Sequence, residues 1–207
     1  MYAVSSLDEG LAWTKNTFGV EAAYGGEHIG LGTRNALMSL GSTYLEIIAP
    51  DPAQSIEGTF GERLSALKAG GLVTWCAEDK LSHVSTNLTQ LGLSTIGPNK
   101  TKRQTKDGNI MEWELLFPSK SLYGGCMPFF IDWLDCENPK ETSPIAGEFK
   151  SLSLSSPEAP SLRKILNHLG LNISVESGER SISVLLTTKS GELVLSSTPE
   201  TSLASLL

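Results

Sequence analysis

A helix stopped by glycine and then followed by short strands occurs twice in this chain. That repetition narrows the folds open to it more than any other feature. Leu7 to Phe18 reads as a helix, with Ser5 or Ser6 as N-cap, an apolar stripe through Leu7, Leu11 and Phe18, and Gly19 as its stop. Strands follow at Glu21 to Tyr24, Asn35 to Leu40 and Tyr44 to Ala49, separated by glycines and closed by Pro50 and Pro52. Thr59 to Lys68 reads as a connecting helix. The second cycle runs through a strand at Leu72 to Ala77, a helix at Leu81 to Leu91 stopped by Gly92, and strands at Lys100 to Lys106, Asn109 to Phe117 and Phe129 to Leu134. Asp107-Gly108 marks the hairpin, because Asp-Gly readily adopts the positive φ of a tight turn. The helix ends Phe18-Gly19 and Leu91-Gly92 superpose at an offset of 73 residues, and the strands YLEII and FIDWL at 86, so the second copy carries an insertion of 13. In that register Asp132 falls opposite Glu46.

A Pro/Glu/Ser-rich linker from Asn138 to Gly147 leads to a third, shorter cycle. It reads as a strand at Phe149 to Leu154, a helix at Ser161 to Leu169, and strands at Asn172 to Glu176, Ser181 to Thr187 and Glu192 to Ser196. The polar alternation of SISVLL and ELVLSS predicts an antiparallel sheet wet on one face. The expected organisation is α+β, with repeated βαβββ modules: 1–58, 59–140 including the connecting helix, and a partial third module at 141–207.

Sixteen basic against twenty-three acidic side chains give a net charge of −7, and no Lys/Arg cluster interrupts that balance, which argues against a nucleic-acid partner. No apolar run approaches the ~20 residues needed to cross a bilayer, and the N-terminus lacks the pattern of a secretory signal. Three widely spaced cysteines, Cys76, Cys126 and Cys136, fit neither a disulfide framework nor a Cys-x-x-Cys metal site and read as free thiols in a reducing cytoplasm.

Within the first cycle, GGEHIGLGTRNALMSLGSTYLEIIAPDP places His28 in a Gly-rich turn and Glu46 in a strand that otherwise reads as core. A carboxylate there requires a partner, an ion or a cavity, because burying it bare costs several kcal/mol or forces its protonation. Together with the βαβββ cycles, RQTKDGNIMEWELLFP and MPFFIDW, this run resembles the glyoxalase-like domain family of the glyoxalase/bleomycin-resistance/dioxygenase (vicinal-oxygen-chelate) superfamily, over about residues 1–140.

The resemblance implies paired modules whose curved sheets enclose a cleft. In metal-dependent members that cleft holds a divalent ion through His, Gln and Glu; in metal-free members it simply binds a small molecule. Glu46 matches the closing-strand Glu. The first-strand His of the pattern would lie upstream of Met1, so either the start is truncated or that ligand is lost, and Leu72 stands at its counterpart in the second module; the complete ligand set is not visible in the sequence. The function expected is a metal-assisted lyase, isomerase or dioxygenase acting on a small oxygen-rich molecule, with metal-free ligand binding in the same cleft as the alternative.

The candidate site follows from these readings. Glu46, Asp132 and His28 are candidate ligands for a divalent metal ion, because such ions prefer carboxylate oxygen with imidazole. Glu46 doubles as the candidate catalytic base. Arg34 with Asn35, Arg103 and Trp113 are candidate substrate contacts, the guanidinium suiting a carboxylate or phosphate. Each has a structural alternative: an ion pair of Glu46 with Arg34 or Arg103, a local hydrogen bond for Asp132, a turn-stabilising imidazole for His28, and core packing for Trp75, Trp113 and Trp133. Expected partners are a small-molecule ligand and a second copy in a homodimer.

Overall fold

In a computed structural model of the chain, the described residues are 1–104, 110–119, 122–198 and 201, with backbone only at 103 and 104. The hairpin tip at Asp107-Gly108 lies outside them. The first module comprises β1 (Tyr2–Ala3), α1 (Leu7–Phe18), β2 (Ala23–His28), β3 (Thr33–Ser39) and β4 (Tyr44–Pro50). Ser6 caps α1 by accepting the Glu9 N–H at 3.3 Å, and Gly19 ends it at φ 70°. After α2 (Phe60–Ser65) and β5 (Gly71–Leu72) come β6 (Cys76–Glu78), α3 (Leu81–Gln90), β7 (Thr95–Gln104), β8 (Ile110–Pro118) and β9 (Phe129–Asp132). A short α4 (Pro139–Thr142) precedes β10 (Glu148–Ser156), α5 (Ala159–His168), β11 (Ser174–Ser177), β12 (Ser181–Thr188) and β13 (Gly191–Ser196).

These elements form three mixed sheets in an α+β arrangement of βαβββ cycles. The first sheet runs β2-β3-β4-β1-β5 and the second β6-β9-β8-β7, so both modules share one internal strand order. In each, the opening strand lies parallel to the closing one: β1 on β4, β6 on β9. The third cycle keeps the βαβββ element order but pairs differently, as β11-β10-β12-β13, with β11 parallel to β10.

The single strand expected over Leu72 to Ala77 is split. β5 pairs antiparallel with β1 of the first sheet while β6 joins the second, so residues 73–75 carry the chain from one sheet to the other and cannot belong to either ladder. His28, expected in a turn, closes strand β2 opposite Thr33. The reason lies at Tyr24 to Gly26, where a β-bulge shifts the register and lets the strand run four residues past its expected end.

One continuous core joins all three sheets. It holds Met38 and Ile47 of the first, Leu116 and Phe130 of the second, and Leu154, Leu162 and Leu186 of the third cycle. Helix α1 covers the outer face of the first sheet and α3 that of the second, while α2 packs beside Ile48 at the edge of the inner face. Gly10 of α1 sits so close to β4 that a Cβ there would lie 2.7 Å from the Ile47 Cγ2. The inner faces of these two sheets are left turned toward one another.

Candidate functional site

Strand alternation decides which side chains enter the space between the two sheets. From β3 they are Thr33, Asn35 and Leu37; from β4, Tyr44, Glu46 and Ile48. The second sheet answers with Trp113, Leu115 and Phe117 of β8 and with Phe129, Ile131 and Trp133 at β9 and its end. The cavity so enclosed measures about 220 Å³. Its walls are mainly aliphatic and aromatic: Phe117 stacks on Phe129 at 5.4 Å between ring centroids, and Trp113 leans on Trp133 at 5.5 Å.

The polar groups gather on the first sheet. Asn35 Nδ2 donates to Glu46 Oε1 at 2.7 Å and lies 3.2 Å from His28 Nε2, while His28 Nδ1 lies 2.9 Å from Thr33 Oγ1. An amide has two N–H bonds, so the arrangement assigns one to the carboxylate and one to the imidazole. His28 then accepts at Nε2 and donates from Nδ1 to Thr33. His28 and Glu46 are themselves 3.9 Å apart, too far for a direct hydrogen bond, and Asn35 bridges them. Among the described residues Glu46 Oε2 takes no hydrogen bond. Two deeply buried polar atoms are also unpartnered there, Asn35 Oδ1 and the Trp133 indole Nε1. Asn35 is 5% exposed and Trp133 8%, so an unmade hydrogen bond at either carries a real cost.

Of the residues singled out in the sequence, His28, Asn35, Glu46 and Trp113 come together in this cavity. Asp132 does not. On β9 it alternates with the inward-facing Ile131 and Trp133; Lys80 Nζ donates to both its oxygens at 3.1 Å, and it accepts the Leu134 N–H at 3.0 Å. That last bond holds Leu134 in a left-handed turn, φ 54°. The offset of 86 therefore does not describe the strand register: β1 pairs Ala3 with Ile48 while β6 pairs Ala77 with Phe130, which displaces Asp132 past the position matching Glu46. Arg34 follows the opposite alternation from Asn35 and faces away from the cavity. The side chain of Arg103 lies outside the described residues.

A divalent ion needs three or more donors converging on one point. Among the described residues no group of three His, Cys, Asp or Glu side chains could hold one. His28 Nε2 and Glu46 Oε1 are both engaged by Asn35, and the side chains among the described residues do not fit the ion expected. Among the lining residues that sequence reading missed are Phe117, Phe129 and Ile131. Their signal was the inward alternation of β8 and β9, legible once the facing sheet is known.

A hypothetical protein from Staphylococcus aureus matches with a TM-score of 0.65 at 18% identity, over 93% of this chain and 81% of that one, a likeness of fold alone. Methylmalonyl-CoA epimerase from Mycobacterium tuberculosis matches at 0.46 and 17% identity, over 63% of this chain and 83% of its own. The Streptomyces coelicolor epimerase, in complex with 2-nitronate-propionyl-CoA, matches at 0.45 and 15%, over 63% and 91%. No curated protein matches the sequence. The family model described as "Glyoxalase-like domain" covers residues 1–170, and on that match the chain belongs to the glyoxalase-like domain family.

Proposed function

We propose that the cleft between the first two sheets binds one small, neutral, oxygen-bearing molecule without a metal ion. The observation that carries this reading is the His28–Asn35–Glu46 cluster set at one side of an otherwise apolar cavity. The aromatic wall of Trp113, Phe117 and Phe129 takes the apolar body of the ligand. Its hydroxyl or enol donates to Glu46 Oε2 or Asn35 Oδ1. Among the described residues no Lys or Arg side chain lines the cavity, and the one ammonium at it, that of Met1, lies within electrostatic reach of Glu46 and offsets that carboxylate's charge, so no cation is left over to hold an anionic head group. A second reading, a proton-transfer enzyme, draws support from the same oxygen: Glu46 Oε2 is placed to accept a proton from a carbon next to a ligand carbonyl. The free thiols suit a reducing cytoplasm, and a homodimer is tested by sedimentation.

Calorimetric titration with 4-ethylphenol provides the test. Wild-type protein binds it, Glu46→Gln weakens binding by about tenfold or more, as loss of a charge-assisted hydrogen bond requires, and Asp132→Asn leaves it unchanged. Equal affinity for the wild type and Glu46→Gln contradicts the reading. Titration with Mn²⁺, Ni²⁺ and Zn²⁺ examines the metal-assisted alternative. Saturable uptake of one ion per chain, abolished in Glu46→Gln, would establish that alternative instead.

A further inference from the structure

We propose that the ligand of this cleft is elongated and that its apolar arm passes alongside the Tyr44–Trp133 ring pair into a second chamber whose far wall is built by the third cycle. The proposal rests on the binding reading above and extends it to the class of ligand. The second chamber measures about 390 Å³, larger than the cleft itself at about 220 Å³. The cleft alone falls below the ~300–1,000 Å³ usual for small-molecule sites; with the chamber behind it the site lies within that range. The two spaces share Met1, Tyr44, Glu46, Phe129, Ile131 and Trp133 as walls, so they adjoin beside Glu46. Tyr44 and Trp133 meet edge-on at 6.2 Å beside this junction.

Beyond the junction the far wall is supplied by Phe149, Leu152, Leu171, Ile173, Ile182 and Val184, all from the third cycle. That wall favours an alkyl or aryl arm, because a polar one would find no partner on it. The outer rim is polar: Asn138 Nδ2 donates to Glu78 Oε2 at 2.8 Å beside Lys140 and Ser42. The buried indole Nε1–H of Trp133, a residue shared by both spaces, lacks an acceptor, and Asn35 Oδ1, in the cleft, lacks a donor. A ligand hydroxyl or carbonyl at the join of head and arm satisfies the indole, and a hydroxyl on the head satisfies the amide. The ligand class is therefore a neutral phenol, enol or ketone carrying an apolar chain of several carbons.

The probe is a series of 4-alkylphenols, from ethyl to hexyl, titrated calorimetrically into the full-length chain. Affinity rises about fourfold per added methylene, the increment for burying one CH₂. Leu152→Trp, which fills the chamber from the third cycle, binds 4-ethylphenol as the wild type does and loses the gain with chain length. A flat series with binding intact overturns this inference alone, as does a Leu152→Trp protein that retains the gain. Failure of every phenol to bind overturns the reading on which it rests.

Discussion

Asn35 spends both its N–H bonds on two other members of the site, Glu46 and His28, and so fixes the carboxylate and the imidazole without neutralising either. The consequence is a polar cluster organised before any ligand arrives, with one carboxylate oxygen left over. Cys76 lies within electrostatic reach of the same carboxylate. Burial chiefly, and the Glu46 charge next, pushes its thiol well above the ordinary 9.0. As the pH rises through that ordinary value, the unfolded chain gives up the thiol proton while the folded chain keeps it. The folded state then binds more protons, so stability falls as the pH rises. Melting temperatures measured across the alkaline range should decline less steeply for Cys76→Ala than for the wild type; parallel declines would contradict the assignment.

At the scale of the element, the close approach of α1 to β4 supports the site, because β4 carries Glu46 on its other face. Gly10 permits it. Alanine would raise the helix propensity of α1 by about 1 kcal/mol, but its Cβ would meet the fully buried Ile47 at 2.7 Å. Overpacking of this kind costs ~1–3 kcal/mol. The clash should win, so Gly10→Ala is expected to lower the melting temperature by a few degrees and to weaken phenol binding through displaced Glu46. A stabilised variant would show that Ile47 yields freely. The β2 bulge at Tyr24 to Gly26 acts on the same scale, carrying His28 into register opposite Thr33.

Across the whole molecule, side chains from all three sheets pack into one apolar cluster. The third cycle is thus part of the common core and not an appended unit. Unfolding should be a single cooperative transition, with calorimetric and van't Hoff enthalpies equal. Leu186→Ala, in the third cycle and fully buried, should cost about 2–5 kcal/mol. It should lower the tryptophan near-ultraviolet signal of the second sheet and the far-ultraviolet signal at the same temperature. Two separated transitions would mean that the third cycle folds by itself.

Local chemistry was enough to read the helices, their glycine stops, most strands and the two-fold βαβββ cycle, because periodicity and capping act over a few neighbouring residues. Glu46 stood out for a similar reason: a carboxylate in an apolar strand carries its own cost wherever the chain folds. Asn35 was nominated beside Arg34, yet alternation along β3 sends one into the cleft and the other away from it. Asp132 shows the same limit, since the pairing of β6 with β9 sets its register and Lys80 claims its charge. Which aromatic side chains form a wall, whether acidic groups converge, and that a third cycle closes a second chamber are long-range facts. They depend on how sheets face one another, and hydrogen bonding between distant strands, rather than any run of adjacent residues, settles that.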